Sequence, residues 1–416
     1  MIGAYAKHKG TEEKALALFD EMTGKEGMRP TQRTYAMVLP MCGDTGALTR
    51  GRELHTQMLN SRVPINDFLG AALIDMYSKA GSLDEAINVF EEMRHHDDGR
   101  QCGVSAWNAM IGAYGDHRRI DDSLALFEEM TRLPKLKPDG VTLCVVLSTC
   151  SHGGMIVDAH ELISSMAERF GIPPDERHHV CMIDVLGRAG HLQEAEDYLR
   201  IELPTNTLAW MTLLGACRLH GDVQRGETAE REIRSLNPTK KSIADSRVLM
   251  SNIYASAGRW KEKTKMRLQM QEEGVEKIRG SSNIEVNGRV NSFLVADKRH
   301  PHSKAIHIYL DALWAEMKAA GYIPLTDGIL HDFITEEEKE HHLSHHSEKL
   351  AIAFGLMNTP EGTPLIITKN LRMRPDCHAA SRFIARLKNR RISVRDAYTW
   401  HHFDPTTGEC SCKEYW

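Results

Sequence analysis

Toward its C-terminus this 416-residue chain carries His346-Ser347-Glu348, then Cys377-His378, then His401-His402 and Cys410-Ser411-Cys412. Imidazole nitrogens and thiolates are the donors Zn²⁺ prefers. A carboxylate two residues after a ligating histidine can carry protons to and from a metal-bound water. These residue types and spacings point to zinc-assisted hydrolysis.

Elements able to hold such groups can be read around them. The alternation Ile284 to Val295 around Asn287-Gly288 predicts a β-hairpin whose turn takes positive φ. A helix is expected over about Ser303–Ala320, and another over Glu336–Leu356 bearing the His-Ser-Glu triplet. Leu365–Leu371 reads as a buried strand leading to Pro375, a good first helical residue. Cys377 would then sit in the first turn of a helix to about Lys388, where amide dipoles favour a thiolate. Ile392–Asp396 reads as the next strand. Both donor sets thus fall at helix starts in an α/β domain. Zinc nucleobase deaminases place H-x-E before P-C-x-x-C, with the Glu as acid/base. His346 and Glu348 satisfy the first half, but the slot three before Cys377 holds Arg374.

The net charge of −5 gives no global reason to bind nucleic acid. One local basic run does exist: Lys369, Arg372, Arg374, Arg382, Arg386, Lys388, Arg390, Arg391 and Arg395, with Asp376 the only acid among them. It reads as a nucleic-acid patch or as a solvated helix face. Nine scattered cysteines do not form a secreted disulfide framework, and no apolar run approaches the roughly 18 residues of a membrane span. The N-terminus has neither a signal peptide nor a transit segment, so the chain is expected to lack upstream sequence.

The rest repeats. Met1-Ile-Gly-Ala-Tyr5 recurs as Met110-Ile-Gly-Ala-Tyr114, and Ala15–Met22 recurs as Ala86–Met93 and Leu124–Met130. Apolar residues at i, i+3, i+4, i+7 make each segment an amphipathic helix. Gly-containing breaks separate partners and Pro-containing ends separate units. One helix hairpin per period of about 31 to 37 residues means an α-solenoid. Val104–Asp139, headed by Ser105–Ile111 and closed by Lys137-Pro138-Asp139, resembles the short-type unit of plant-type pentatricopeptide-repeat proteins. Gln32–Asn66, Asp67–Gly103, Gly140–Asp175 and Glu176–Asn206 resemble its alternating companions, and the first unit is expected to be truncated. Trp210–Arg218 and Leu249–Trp260 look like the extension motifs of editing-type members. The expected organisation is repeats over 1–206, extension motifs over 207–278 and a terminal domain over 279–416.

That resemblance implies single-stranded RNA as partner, each repeat reading one base through its fifth and last residues. Asn108 with Asp139 would favour a pyrimidine, most of all U. The other slots, Ala36 with Asn66, Ala71 with Gly103, Cys144 with Asp175 and Val180 with Asn206, lack a polar fifth residue.

The segment 279–416 resembles the DYW-type cytidine deaminase domain. The match rests on His346–Leu356, Lys369–Arg372, Asp376–His378, Val394–Asp396, His401–Phe403, Cys410–Cys412 and the terminal Glu414-Tyr415-Trp416. The resemblance implies a cytidine-deaminase-like zinc domain performing hydrolytic C-to-U conversion in RNA. A metal-activated water would attack C4, with Glu348 as the proton carrier. One zinc would use His346 and Cys377, and a second His378, His401 (favoured over His402), Cys410 and Cys412. One or two Zn²⁺ per chain are expected, and the family implies a mitochondrion or plastid. Arg374 departs from the pattern by replacing a thiolate with a fixed cation. Two roles follow: an editing factor with an impaired catalytic zinc, or a non-catalytic RNA binder that recruits a deaminase or other editing proteins in trans or shields a transcript. No membrane partner is expected. A metalloprotease is disfavoured because the histidines do not form an H-E-x-x-H helix.

Overall fold

The computed structural model describes residues 12–24, 28–95, 102–236, 238–272, 274, 279–325, 335–413 and 415. The start of the first repeat and the insertion after His95 lie outside the described residues. The described residues between Glu12 and Glu272 form helices joined by short connections. It runs as α1 (Glu12–Thr23), α2 (Gln32–Thr45), α3 (Leu48–Asn60), α4 (Asp67–Lys79), α5 (Leu83–His95), α6 (Val104–Asp116), α7 (Ile120–Arg132) and α8 (Gly140–Gly153). It continues as α9 (Ile156–Phe170), α10 (Glu176–Arg188), α11 (Leu192–Glu202), α12 (Thr207–His220), α13 (Val223–Ser235), α14 (Lys240–Ser256) and α15 (Trp260–Glu272).

In all the repeat units but the one closed by Gly103, a polar residue at the end of one unit starts the next helix. Thr31, Asn66, Asp139, Asp175 and Asn206 are N-caps whose side-chain oxygens accept from amides of the following turn. Each such cap contributes about 1 kcal/mol. Left-handed glycines such as Gly46, Gly154 and Gly221 end the first helices of their units. The even-numbered helices α2, α4, α6, α8, α10 and α12 stack in sequence, each on the next. A single core from Phe19 to Ile253 runs through the stack. This is the expected solenoid.

Beyond it come β1 (Ser281–Val286), β2 (Arg289–Leu294), α16 (Ser303–Ala319), α17 (Glu336–Ser344), α18 (Ser347–Asn358), β3 (Leu365–Lys369), α19 (Pro375–Leu387), β4 (Ile392–Arg395) and β5 (Trp400–Phe403). The sheet order is β2-β1-β3-β4-β5, parallel only between β3 and β4, which α19 connects. The hairpin turn falls on Asn287 and Gly288, both at positive φ. The single helix expected over Glu336–Leu356 is corrected to two. His346 is extended (φ −65°, ψ 151°) and sits at the N-cap of α18. The break moves Glu348 from mid-helix to a first turn.

Strand alternation explains how the two parts meet, since successive side chains point to opposite faces. Ile284, Val286, Leu365, Ile367, Ile392, Val394 and Phe403 join the core beneath α16, α18 and α19. Their neighbours face the solenoid. Gly46 approaches Thr368, and Gly81 (φ +89°) approaches Ile366 and Trp400 so closely that a Cβ there would lie 2.7 Å from Ile366. The last carbonyls of a helix have no intrahelical donor, and here the sheet supplies several. Arg395 donates to Asp44 O (2.9 Å) and Lys79 O (2.8 Å), and the Thr399 hydroxyl donates to Asp116 O (3.2 Å). Arg118 donates to Thr399, to Tyr415 O (2.7 Å) and to His152 O. The Thr49 amide donates to Glu285 at 3.0 Å. The basic run is therefore not one surface: Arg395 lies in this seam, Arg390 donates to Thr363 O and Lys388 pairs with Glu316.

Neutral imidazoles complete the seam. His117 stacks on Trp400 and His402, its Nε2 donates to Ser78 O (3.0 Å), and its Nδ1 lies 3.1 Å from His402 Nε2. With His117 protonated on Nε2, His402 donates to it and accepts the Ser393 hydroxyl through Nδ1 (2.9 Å). Burial lowers the His117 pKa from 6.5 to about 4. Between these values the unfolded chain binds the extra proton, so stability falls as pH drops from 6.5 toward 4 and levels off below. The contribution of His117 is up to about 3 kcal/mol. Chemical denaturation at a series of pH values should show this acid loss in the parent and a smaller one in His117→Phe, which keeps a ring but cannot charge. Identical pH profiles would refute the assignment.

Candidate metal centres and base-reading slots

Two helix starts converge on the first cluster. His346 precedes α18, Glu348 lies in its first turn, and Pro375 opens α19 so that Cys377 also falls in a first turn. His346 Nδ1 lies 3.2 Å from Cys377 Sγ and 3.1 Å from Asp376 Oδ2. Donor atoms of His346, Asp376 and Cys377 lie within 4.8 Å of one another, all buried. Two cations crowd the carboxylate: Lys349 Nζ at 2.9 Å from Oδ2 and Arg374 Nε at 2.8 Å from Oδ1. Lys349 is buried, also donates to Leu343 O and lies 3.7 Å from Cys377 Sγ.

Burial would raise the Asp376 pKa, but Lys349, His346 and Arg374 outweigh it and hold the carboxyl well below its usual range. Burial pushes the Cys377 thiol well up, and the Asp376 and Glu348 charges add to that push. Burial lowers the His346 pKa against the opposing pull of Asp376, which favours the neutral imidazole. Burial alone would raise Glu348, yet Lys369 (2.7 Å) and His346 hold it at about 2. Ser347 donates to Glu348 and exchanges a 2.9 Å hydrogen bond with Ser282 of β1.

A catalytic zinc takes three protein donors and keeps a fourth position open. His346 and Cys377 are two. Arg374 cannot be a third, and Asp376, the other donor that the described residues place in this group, is engaged by two cations. The residues present do not fit a catalytic zinc. Lys369 and Asp376 stand in the sequence only as members of the basic run and of the family match, and with Lys349 carried no assigned role at the site, although the signal was there: a lysine one turn after His346, and an acid beside a candidate thiolate.

The second cluster is complete. His378 leaves the first turn of α19, His401 points inward from β5, and Cys410 pairs back on Phe403. His378 Nε2 lies 3.2 Å from Cys412 Sγ and Cys410 Sγ lies 3.9 Å from His401 Nδ1. All four donors fall within 4.8 Å and are buried. Hydrogen bonds from Cys410, His378 and His401 lower the Cys412 pKa, while the Cys412 hydrogen bond and burial raise that of Cys410. His401 Nε2 faces Asp396 at 3.4 Å, and Asp396 is fixed by amides of Met373, Tyr398 and Thr399. A carboxylate behind a ligating imidazole is the usual support of a zinc site. These residues fit a tetrahedral Cys₂His₂ ion. His402, one residue on, faces the solenoid instead.

In the repeats, Asn108 Nδ2 donates to Asp139 Oδ1 at 3.2 Å. Asn108 is 9% exposed, and its Oδ1 has no hydrogen-bond partner among the described residues. Asn66, Asp175 and Asn206 act as helix caps. Cys144, Asp175 and His178 also gather within 4.8 Å. There His178 Nε2 donates to Gly140 O and Nδ1 accepts the Asp175 amide, so the imidazole is used as a capping group.

The model for the DYW family of nucleic acid deaminases matches residues 321–416, that for the E motif 220–285, and that for the PPR repeat 72–97, 105–133 and 178–200. The chain is 41% identical over 422 residues to the putative pentatricopeptide repeat-containing protein At3g49142 of Arabidopsis thaliana, covering 100% of this chain and 59% of that protein. It is 38% identical to the Arabidopsis thaliana pentatricopeptide repeat-containing protein ELI1, chloroplastic, covering 97% and 62% respectively. It spans about half to two thirds of these relatives' length. The solved pentatricopeptide repeat protein PPR10 in complex with an 18-nt psaJ RNA element aligns with TM-score 0.48 at 20% identity over 67% of this chain and 40% of that one. Among the described residues no helix is long and apolar enough to cross a membrane.

Proposed function

We propose that this chain, which belongs to the pentatricopeptide-repeat proteins carrying an E motif and a C-terminal DYW-type deaminase domain, binds single-stranded RNA along its repeats and serves C-to-U editing, while its own catalytic metal set stays one donor short. The observation that carries the second half is the Arg374–Asp376 ion pair at 2.8 Å, which stands where a third ligand is needed. The reaction would then be completed by a deaminase acting in trans. Zinc²⁺ would be held by His378, His401, Cys410 and Cys412 and there stiffen the fold. Relatives named chloroplastic support a plastid, or more broadly an organelle, as the place of work.

RNA recognition rests on the slot Asn108–Asp139. Asn108 Oδ1 is buried as it stands, so Asn108 would turn its amide outward to meet a base edge such as that of uracil, with Asp139 holding it at 3.2 Å through Nδ2 beforehand. Each good base-edge pair discriminates by about 1–3 kcal/mol. Asn108→Ala should weaken binding of an RNA with U in that slot by roughly 5- to 150-fold and flatten preference there. Fluorescence anisotropy with four RNAs differing at that one base reads it. Equal affinity of the parent for all four would remove the slot from the account.

A further inference from the structure

We propose that Cys144 of α8 and Cys181 of α10 form a dithiol that hydrogen peroxide closes to a disulfide, clasping two neighbouring repeats together. All nine cysteines are free thiols, and seven of them are buried. Cys144 and Cys181 are the two that solvent reaches in part. They are also neighbours. Their helices pack directly on each other, the Cys181 sulfur lies 3.9 Å from Cys144 O, and the two thiols share a hydrogen bond.

That hydrogen bond makes the two sulfurs unequal. With Cys181 as donor it lowers the Cys144 pKa, helped by Arg177 against the opposing pull of burial. The same bond, and burial with it, raises the Cys181 pKa. Cys144 is therefore the better attacking thiolate, and Cys181 keeps its proton. An accessible thiol of lowered pKa beside a second thiol is what reversible oxidation requires. Asp175 and His178 stand close to Cys144 but are already engaged. His178 Nε2 donates to Gly140 O at 2.9 Å and Nδ1 accepts the Asp175 amide at 3.1 Å, while both Asp175 oxygens accept from Arg177.

The Cys144 thiolate attacks one peroxide oxygen, so that an S–O bond forms, the O–O bond breaks and hydroxide leaves. Cys181 gives up its proton and attacks the resulting sulfenic sulfur; the S–S bond forms, the S–O bond breaks and a second hydroxide leaves. The two thiol protons turn both hydroxides into water, and the two electrons lost by sulfur reduce the peroxide. The sulfurs close from hydrogen-bond contact to roughly 2 Å. Under the RNA-binding reading Cys144 holds the fifth position of its unit, so closure turns its sulfur from the base toward α10 and lowers RNA affinity. The dithiol itself does not depend on that reading.

The test treats the full chain with stoichiometric hydrogen peroxide and maps its peptides by mass spectrometry. The Cys144 and Cys181 peptides should become joined with a loss of about 2 Da, the mass of two hydrogens, and dithiothreitol should separate them. In Cys181→Ser a sulfenic acid should persist at Cys144 and be trapped by dimedone, whereas Cys144→Ser should leave Cys181 unmodified at the same dose. Closure should raise the melting temperature of the parent by several degrees, since a cross-link constrains the unfolded chain. Single-stranded RNA should bind the closed parent several-fold more weakly than the reduced one, and peroxide should not alter its binding to Cys144→Ser. Closure with unchanged RNA affinity would overturn the effect on recognition. If RNA does not bind at all, the RNA reading fails while the peptide masses still decide the dithiol. Peroxide that leaves both thiols of the parent reduced, or joins either to another cysteine, would overturn the proposal, and this reading needs no variant to fold.

Discussion

Arg374→Cys should convert the target cytidine to uridine, and the parent chain should not. The substitution acts in two ways at the same place. It removes the guanidinium that holds Asp376 Oδ1, and it adds a thiol three residues before Cys377, at the start of α19. Perturbing even a residue behind a metal ligand costs 10–100-fold in affinity, so restoring a ligand should raise first-site affinity by about 100-fold or more. With the thiol that Arg374→Cys adds, His346 and Cys377 would complete a set able to hold a zinc ion, which would supply Lewis acidity toward water. The chain's own part is Glu348, kept ionised by Lys369 and ready to take and return a proton. Glu348→Gln in the Arg374→Cys background should lower the restored rate by about 10²–10⁴. The readout is sequencing of product RNA after incubation with parent, single and double variants. Equal editing by parent and Arg374→Cys would sink the assignment of Arg374.

Loss of the second cluster should be a folding defect. His378, His401, Cys410 and Cys412 tie α19 to β5 and the terminal turn, and a structural zinc in such a set contributes apparent binding energy of about 10–16 kcal/mol at neutral pH in small domains. Cys412→Ser, or chelation of the parent, should unfold the terminal sheet while the solenoid keeps its helicity, because the repeats have a core of their own. Hydrogen exchange would show protection lost over β3, β4 and β5 and retained over α4 to α12. Unchanged protection after chelation would mean that no ion supports this fold.

The repeat hairpins were legible because the helices announce themselves locally, by periodic apolar residues and, at several units, a polar cap or a glycine stop. The hairpin at Asn287-Gly288 and the helix start at Pro375 were legible for the same reason. What escaped was set by tertiary contact. The break at His346 has no glycine or proline to mark it; the residue is extended because its ring is drawn to Asp376 and Cys377. The roles of His401 and His402 follow from which face of β5 each occupies, and that strand is only four residues long. Docking of the sheet on the helix ends, through Arg395, Thr399 and Arg118, joins residues far apart in sequence and leaves no local trace. Arg374 could be seen as a departure, but its pairing with Asp376 could not.

Metal content of the purified parent chain, measured by inductively coupled plasma mass spectrometry, decides the centre of this account. One zinc per chain, rising to two in Arg374→Cys, is the expected result. Two zinc ions per chain in the parent would show that the first cluster is complete as it stands.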